Sequence, residues 1–141
     1  MQLFQRSLSL IRQRGFHLIT YEVIRGMPAI KQMNSGICHI FIRHTSASIT
    51  INENADPTAR IDLENWFNRQ VPENDRYGHD AEGTDGMPAH IKAALLGNSV
   101  TVPIVDSRLA LGIWQGIYLC EHRIHDGERE IVLTVWGTLK T

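Results

Sequence analysis

The sequence predicts an α+β fold: one domain, residues 1–141, of largely antiparallel β-sheet layers with two to three short helices. Three observations carry that prediction. The last third of the chain runs strand after strand with short connections between them. Two clear helix signals stand together in the middle of the chain and do not alternate with strands as parallel βαβ units would. Finally, 141 residues with 43% hydrophobic content suit one domain able to bury a core without covalent staples.

Each element follows from local chemistry. Leu3 to Ile11 alternates, with Leu8 and Leu10 on one face and Ser7 and Ser9 on the other, as a strand does. Gly15 interrupts it, and Phe16 to Ile19 is expected to return as its hairpin partner. Thr20 can cap a short helix over Tyr21 to Met33, against which Gly26 and Pro28 count. Asn34-Ser35-Gly36 signals a turn, and Ile37 to Arg43 is rich in strand formers. Asp56 suits a helix N-cap and Pro57 the first helical position, where no N–H is needed. Ala59, Leu63, Trp66 and Phe67 then form an apolar stripe, Arg60 and Glu64 pair on the outside, and Pro72 closes the helix. A polar loop, Glu73 to Gly86, leads to a second helix with Pro88 in its first turn and Gly97 past its end. Ser99 to Val105, Trp114 to Arg123 and Arg129 to Trp136 are strands, and His125-Asp126-Gly127-Glu128 is a hairpin-turn signal. In the strand from Trp114, Gly116 stands between two aromatics, which suggests close approach of another backbone, of a ligand, or of a core or subunit contact.

Fourteen basic residues against fifteen acidic ones give a net charge of -1. That balance creates no field drawing the chain to nucleic acid or an anionic membrane, and no basic and aromatic residues interleave as a single-strand platform would. The first residues, MQLFQRSLSLIRQR, are broken by Arg6, Arg12 and Arg14 and do not read as a signal peptide. No apolar run reaches the roughly 20 residues of a membrane span. The expectation is a cytoplasmic protein in which Cys38 and Cys120, both within apolar runs, are free buried thiols.

The chemistry concentrates around the stretch HTSASITINEN, His44 to Asn54. Three histidines sit at element boundaries: His44 at the end of a strand, His79 in a loop beside Asp80, and His90 in the first turn of the second helix. Three imidazoles with an open position suit zinc or a similar ion. Their separations of 35 and 11 residues match no local metal motif, so spacing alone favours three independently satisfied surface histidines. A helix N-terminus would keep the His90 ring neutral. Of the acids Glu53, Asp56, Asp80, Glu82 and Asp85, Asp56 is most simply a cap, and Glu53 and Asp80 are the candidates for metal coordination or proton transfer. Thr45, Ser46 and Ser48 lack a nucleophile elbow or an SxxK context; with Asn52 they are better suited to holding an anion. His17 and His39 read as satisfied strand positions, and His122 and His125 as flanks of the last hairpin.

The strings HTSASITINENADP, HDAEGTDGMPAHIKAALLG and LGIWQGIYLCEHR, in this order over nearly the whole chain, resemble the YjbQ-like family. That family is commonly labelled secondary thiamine-phosphate synthase. The resemblance implies a homotrimer with a pocket near subunit contacts. It also implies that His44, His79 and His90 converge on a site for a divalent metal, zinc or magnesium, or for a phosphate- or sulfate-like anion. The catalytic candidates are then His44, His79, His90 and Asp80, with Asp80 orienting His79. Thr45, Ser46, Ser48, Asn52, Glu53 and Gln115 would hold the ligand. The expected activity is that of an enzyme acting on a small phosphorylated metabolite, with weak thiamine-phosphate synthase activity that joins a pyrimidine diphosphate to a thiazole phosphate. A trimeric binding protein for an anionic metabolite and a metal-dependent hydrolase are the rivals. No Lys/Arg clamp or Asp-rich magnesium motif stands in the matching strings.

Overall fold

The computed structural model describes residues 1–124 and 127–141. Eight strands and three α-helices are arranged as β1 (Gln2–Leu10), β2 (Gly15–Leu18), α1 (Thr20–Gly26), a 3-10 turn (Pro28–Gln32), β3 (Met33–Ile42), β4 (Ala47–Glu53), α2 (Pro57–Gln70), α3 (Gly86–Leu96), β5 (Ser99–Val105), β6 (Arg108–Leu109), β7 (Gln115–Glu121) and β8 (Arg129–Leu139). A five-stranded sheet has the order β1-β8-β3-β5-β6 and a three-stranded sheet the order β2-β7-β4. Every pairing is antiparallel. The α+β class is therefore the one the sequence predicts.

Alternation explains how the layers stack. Cys38, Ile40 and Ile42 of β3, Val102 and Ile104 of β5, and Ile131, Leu133 and Val135 of β8 share one buried cluster with Ala47 and Ile49 of β4 and Ile117 and Leu119 of β7. The two sheets thus bury their facing sides against each other. The other face of the small sheet offers Phe16, Tyr118 and Cys120, which pack with Leu63 and Phe67 of α2 and Leu96 of α3. β4 and β7 are covered on both sides, which is why β7 is apolar along almost its whole length. The cysteines are free and sealed, and burial pushes the Cys38 thiol up to about 11 and the Cys120 thiol up to about 12.

Several local expectations give way to tertiary demands. Phe16 to Leu18 does not fold back on β1; β2 pairs with β7, because the apolar face of Phe16 completes the helix-covered layer. Thr20 does not cap α1. Its hydroxyl accepts the Ile117 N–H at 2.9 Å, and Pro28 splits the expected helix into α1 and the 3-10 turn. Asn34-Ser35-Gly36 lies inside β3, where a register shift between Met33 and Ser35 absorbs the turn-forming residues. Arg60 does not pair with Glu64, which instead receives Arg14 at 3.3 Å, and Trp66 of the expected apolar stripe is 48% exposed. Asp56 caps α2 as its type suggests, accepting the Thr58 N–H at 3.0 Å. The turn expected at 125–128 includes residues 125 and 126, which lie outside the described residues, as does His125.

Candidate functional site

The connection between β3 and β4 is held on three sides. The Arg43 N–H donates to the Glu130 carbonyl at 3.1 Å, and the Glu130 N–H donates to His44 Nε2 at 2.9 Å. The Ser46 carbonyl accepts from the His122 N–H at 3.3 Å and from Arg129 Nη2 at 3.2 Å. Arg129 is itself locked in a buried two-pronged pair with Glu121, at 2.7 and 2.5 Å. A charged pair sealed between two sheet ends contributes geometry more than net stability. Here it fixes the backbone of residues 43–46.

That fixed backbone orients His90. The Nδ1–H of His90 donates to the Thr45 carbonyl at 2.8 Å, which turns Nε2 toward Glu82 Oε1, 3.1 Å away. His79 Nε2 meets the same Glu82 oxygen, and the two imidazole centroids are 5.4 Å apart. One ligand atom from each of His79, Glu82 and His90 lies within 4.8 Å of the other two. The two imidazoles hold the Glu82 carboxyl down to about 2, His79 first and His90 second. His90 is raised above its ordinary value by the Thr45 carbonyl, against burial and with help from Glu82. Its position at the fifth residue of α3 places it beyond the first turn, so the expected neutralising influence of the helix N-terminus yields to the carbonyl and the carboxylate.

The trio sits between two clefts. One, of about 430 Å³, is lined by His79 and Asp80 with Glu73, Asp75, Arg76 and Tyr77. The other, of about 340 Å³, is lined by His44, Thr45, Ala47, His90, Ala93, Ala94, Gly97 and Asn98. His90 forms a wall of the second cleft, whose floor is made of small side chains that leave room beside the ring.

The donor set fits a divalent ion of zinc type: two imidazole nitrogens and one carboxylate oxygen, with a His whose second nitrogen is already tied to a backbone carbonyl. The fit selects different residues from those expected. His44 is outside the trio, because its Nε2 accepts the Glu130 N–H. Its ring instead lines the second cleft. Asp80 does not orient His79; Glu82 is the acid on that imidazole. Glu82 carries no obvious signal by itself, but its His-x-x-Glu spacing from His79 would have pointed to it.

The expected ligand holders scatter because Ala47 to Glu53 is a strand and His44 to Ser46 is the connection before it. At about 3.3 Å per residue, the ends of β4 lie ~20 Å apart. Thr45 is at the trio, contributing its carbonyl. Ser48 is fully buried under the helices, its hydroxyl 2.8 Å from His122 Nε2, and Ser46 is buried as well. Neither serine can meet a ligand from solvent. Asn52, Glu53 and Gln115 gather at the far end of the β4–β7 ladder. There Asn52 accepts the Glu53 N–H, Glu53 accepts the Asp56 N–H, and Gln115 accepts the Gly112 N–H. These are loop-fixing contacts away from the histidines.

A small antiparallel sandwich of this kind, covered by helices, is also the form taken by solved structures of one protein family. The profile of the UPF0047 protein YjbQ-like family matches residues 5–138, and the chain belongs to that family. UPF0047 protein YjbQ of Escherichia coli O157:H7 is 48% identical over 135 residues, covering 95% of this chain and 98% of that one. UPF0047 protein YugU of Bacillus subtilis is 41% identical over 111 residues, 77% of this chain and 80% of its own. A crystal structure of an uncharacterized conserved protein of the yjbq/upf0047 family from Clostridium acetobutylicum superposes with a TM-score of 0.81 at 34% identity, covering 94% and 99% of the two chains. A YbjQ-like protein of unknown function from Sulfolobus solfataricus, 24% identical, shares the fold with a TM-score of 0.85 over 96% and 98% of the chains. None of these names states an activity. No helix among the described residues is long and apolar enough to cross a membrane.

Proposed function

We propose that this chain is a metal-dependent enzyme acting on a small phosphorylated metabolite, with hydrolysis the reaction the site suits best. The observation that carries the reading is the trio itself: His79, Glu82 and His90 offer three ligand atoms within 4.8 Å, with His90 already oriented through Thr45. When bound, a zinc-like ion supplies Lewis-acid polarisation of a phosphoryl oxygen. The chain's own part is to hold the ligand beside it. The cleft beside His90 is lined by His44 and Asn98 among small residues, a size suited to a phosphate on a small organic group.

Thiamine-phosphate synthesis is the less well supported reaction. It must hold a departing diphosphate and a cation-like pyrimidine-methyl group. Among the described residues lining the two clefts, Arg76 is the single one with a permanent positive charge. The homotrimer reading is supported by the outer face of the five-stranded sheet, where Leu3 is 63%, Val105 53% and Phe41 37% exposed.

Protein purified without an affinity tag tests the reading. Metal analysis should find about one zinc per chain, and hydrolysis of a panel of phosphate monoesters should stop with a chelator and return with zinc. Coupling of pyrimidine diphosphate to thiazole phosphate, run alongside, should be slower. Tight phosphate binding with no turnover of any substrate would instead favour the binding-protein reading, and sedimentation gives the assembly state.

A further inference from the structure

Glu82 is the weak member of the trio on mechanical grounds. Its side chain is 42% exposed and it stands in the polar loop between α2 and α3, where a glutamate has three rotatable bonds to lose. Something must hold it. The Arg123 side chain, only 15% exposed, reaches back from just beyond β7 and meets it twice: Nη2 donates to the Glu82 carbonyl at 2.8 Å, and Nη1 lies 3.5 Å from Glu82 Oε2. The same guanidinium donates through Nε to Asp85 Oδ2 at 3.2 Å, an oxygen that also accepts the Ile124 N–H at 2.9 Å. From the other side, a Cβ on Gly86 would stand 3.0 Å from the Glu82 Cβ, so the absence of a side chain there lets the glutamate lie close to the helix start.

The division of the carboxylate is the informative feature. Oε1 faces both imidazoles, and Oε2 faces Arg123. A guanidinium fork can hold a backbone carbonyl and a carboxylate oxygen together while its Nε serves a third acceptor; an ammonium presents one point charge and cannot span the three. We propose that Arg123 is the positioning residue of the trio: it touches neither ion nor substrate, and it presents Glu82 Oε1 to the metal by fixing the Glu82 backbone and its second oxygen. The proposal rests on the metal reading of His79, Glu82 and His90. Its effect should fall in the roughly 10–100-fold range that supporting partners of metal ligands carry.

The test uses the full chain loaded with zinc for affinity and with cobalt(II) for its visible spectrum. Arg123→Gln and Arg123→Lys should each lower zinc affinity roughly 10–100-fold. Both should shift the cobalt spectrum toward that of Glu82→Gln, and lysine should fail to rescue. In the Glu82→Gln background, Arg123→Gln should cause no further loss. The inference is overturned if either Arg123 variant, folded by circular dichroism, keeps wild-type affinity and spectrum, or if the two losses multiply in the double variant. Failure of the wild-type chain to bind zinc or cobalt overturns the metal reading, and this inference with it.

Discussion

The imidazole of His90 and the carbonyl of Thr45 are joined by a 2.8 Å hydrogen bond across 45 positions of sequence. One partner is on α3; the other is in the connection that the Arg129–Glu121 pair immobilises. The carbonyl requires a proton on Nδ1 and aims Nε2 at Glu82. A side chain on a helix is thus set by a loop that the sheets hold.

Replacing His90 tests the trio directly. His90→Gln should lose more zinc affinity than the roughly 10–100-fold expected for a supporting group. The fold should survive, because the ring is at the rim of a cleft. Zinc titration by calorimetry, with circular dichroism on the same sample, checks both halves.

The acid limit of metal binding should be set by imidazole and not by carboxylate. Glu82 stays ionised down to about 2, so it remains a ligand through mildly acid solution. His90 is raised above its ordinary value, so its proton competes with the ion as pH falls into that range. Zinc affinity should therefore be full on the alkaline side, weaken as pH falls, and be accompanied by proton release. Calorimetry in buffers of different ionisation enthalpy measures the protons released.

His122 should make the fold acid-sensitive. Burial, then Lys92 and Arg129, lower it to about 3, so the native state keeps the ring neutral. The unfolded chain titrates near the ordinary value of about 6.5. Between those two values the unfolded state binds a proton that the native state does not, so stability is fully present above the upper value and declines as pH falls. The loss across the window is on the order of a few kcal/mol. Thermal midpoints of wild type and His122→Gln, compared from pH 7.5 to 4.5, should show a clearly shallower slope in the variant.

Gly116 should not tolerate a side chain. A Cβ there would stand 2.5 Å from Leu18 Cδ2 and 2.9 Å from the Asn54 Cβ. Gly116→Ala should cost about 1–3 kcal/mol through overpacking between β2 and the end of β4, a drop of several degrees in Tm. An unchanged melt would show that Leu18 swings away at no cost.

Much of the architecture was legible because its causes are local. Alternation marked β1, β5 and β8, and the Asp56-Pro57 pair marked the start of α2. The cysteines could be read as buried from the apolar runs around them. The site was legible only in part. His79 and His90 could be singled out as boundary histidines, yet the acid they share was passed over for Glu53 and Asp80. Apart from its His-x-x-Glu spacing from His79, nothing local to Glu82 distinguishes it from its neighbours until His79 and His90 stand on either side of it.

The sequence by itself determined the fold class, the strand periodicity, the capped helix and the concentration of histidines near a polar strip. These depend on interactions within a few residues, or on composition. Only the tertiary structure decided that the Ala47 to Glu53 part of HTSASITINEN is a strand whose ends serve different neighbourhoods, that His44 is tied to the Glu130 backbone, and that β2 pairs with β7. It also decided that Glu82 joins His79 and His90. Those outcomes turn on which apolar face each strand must bury and which backbone groups then need partners. Both conditions are set by the whole chain at once.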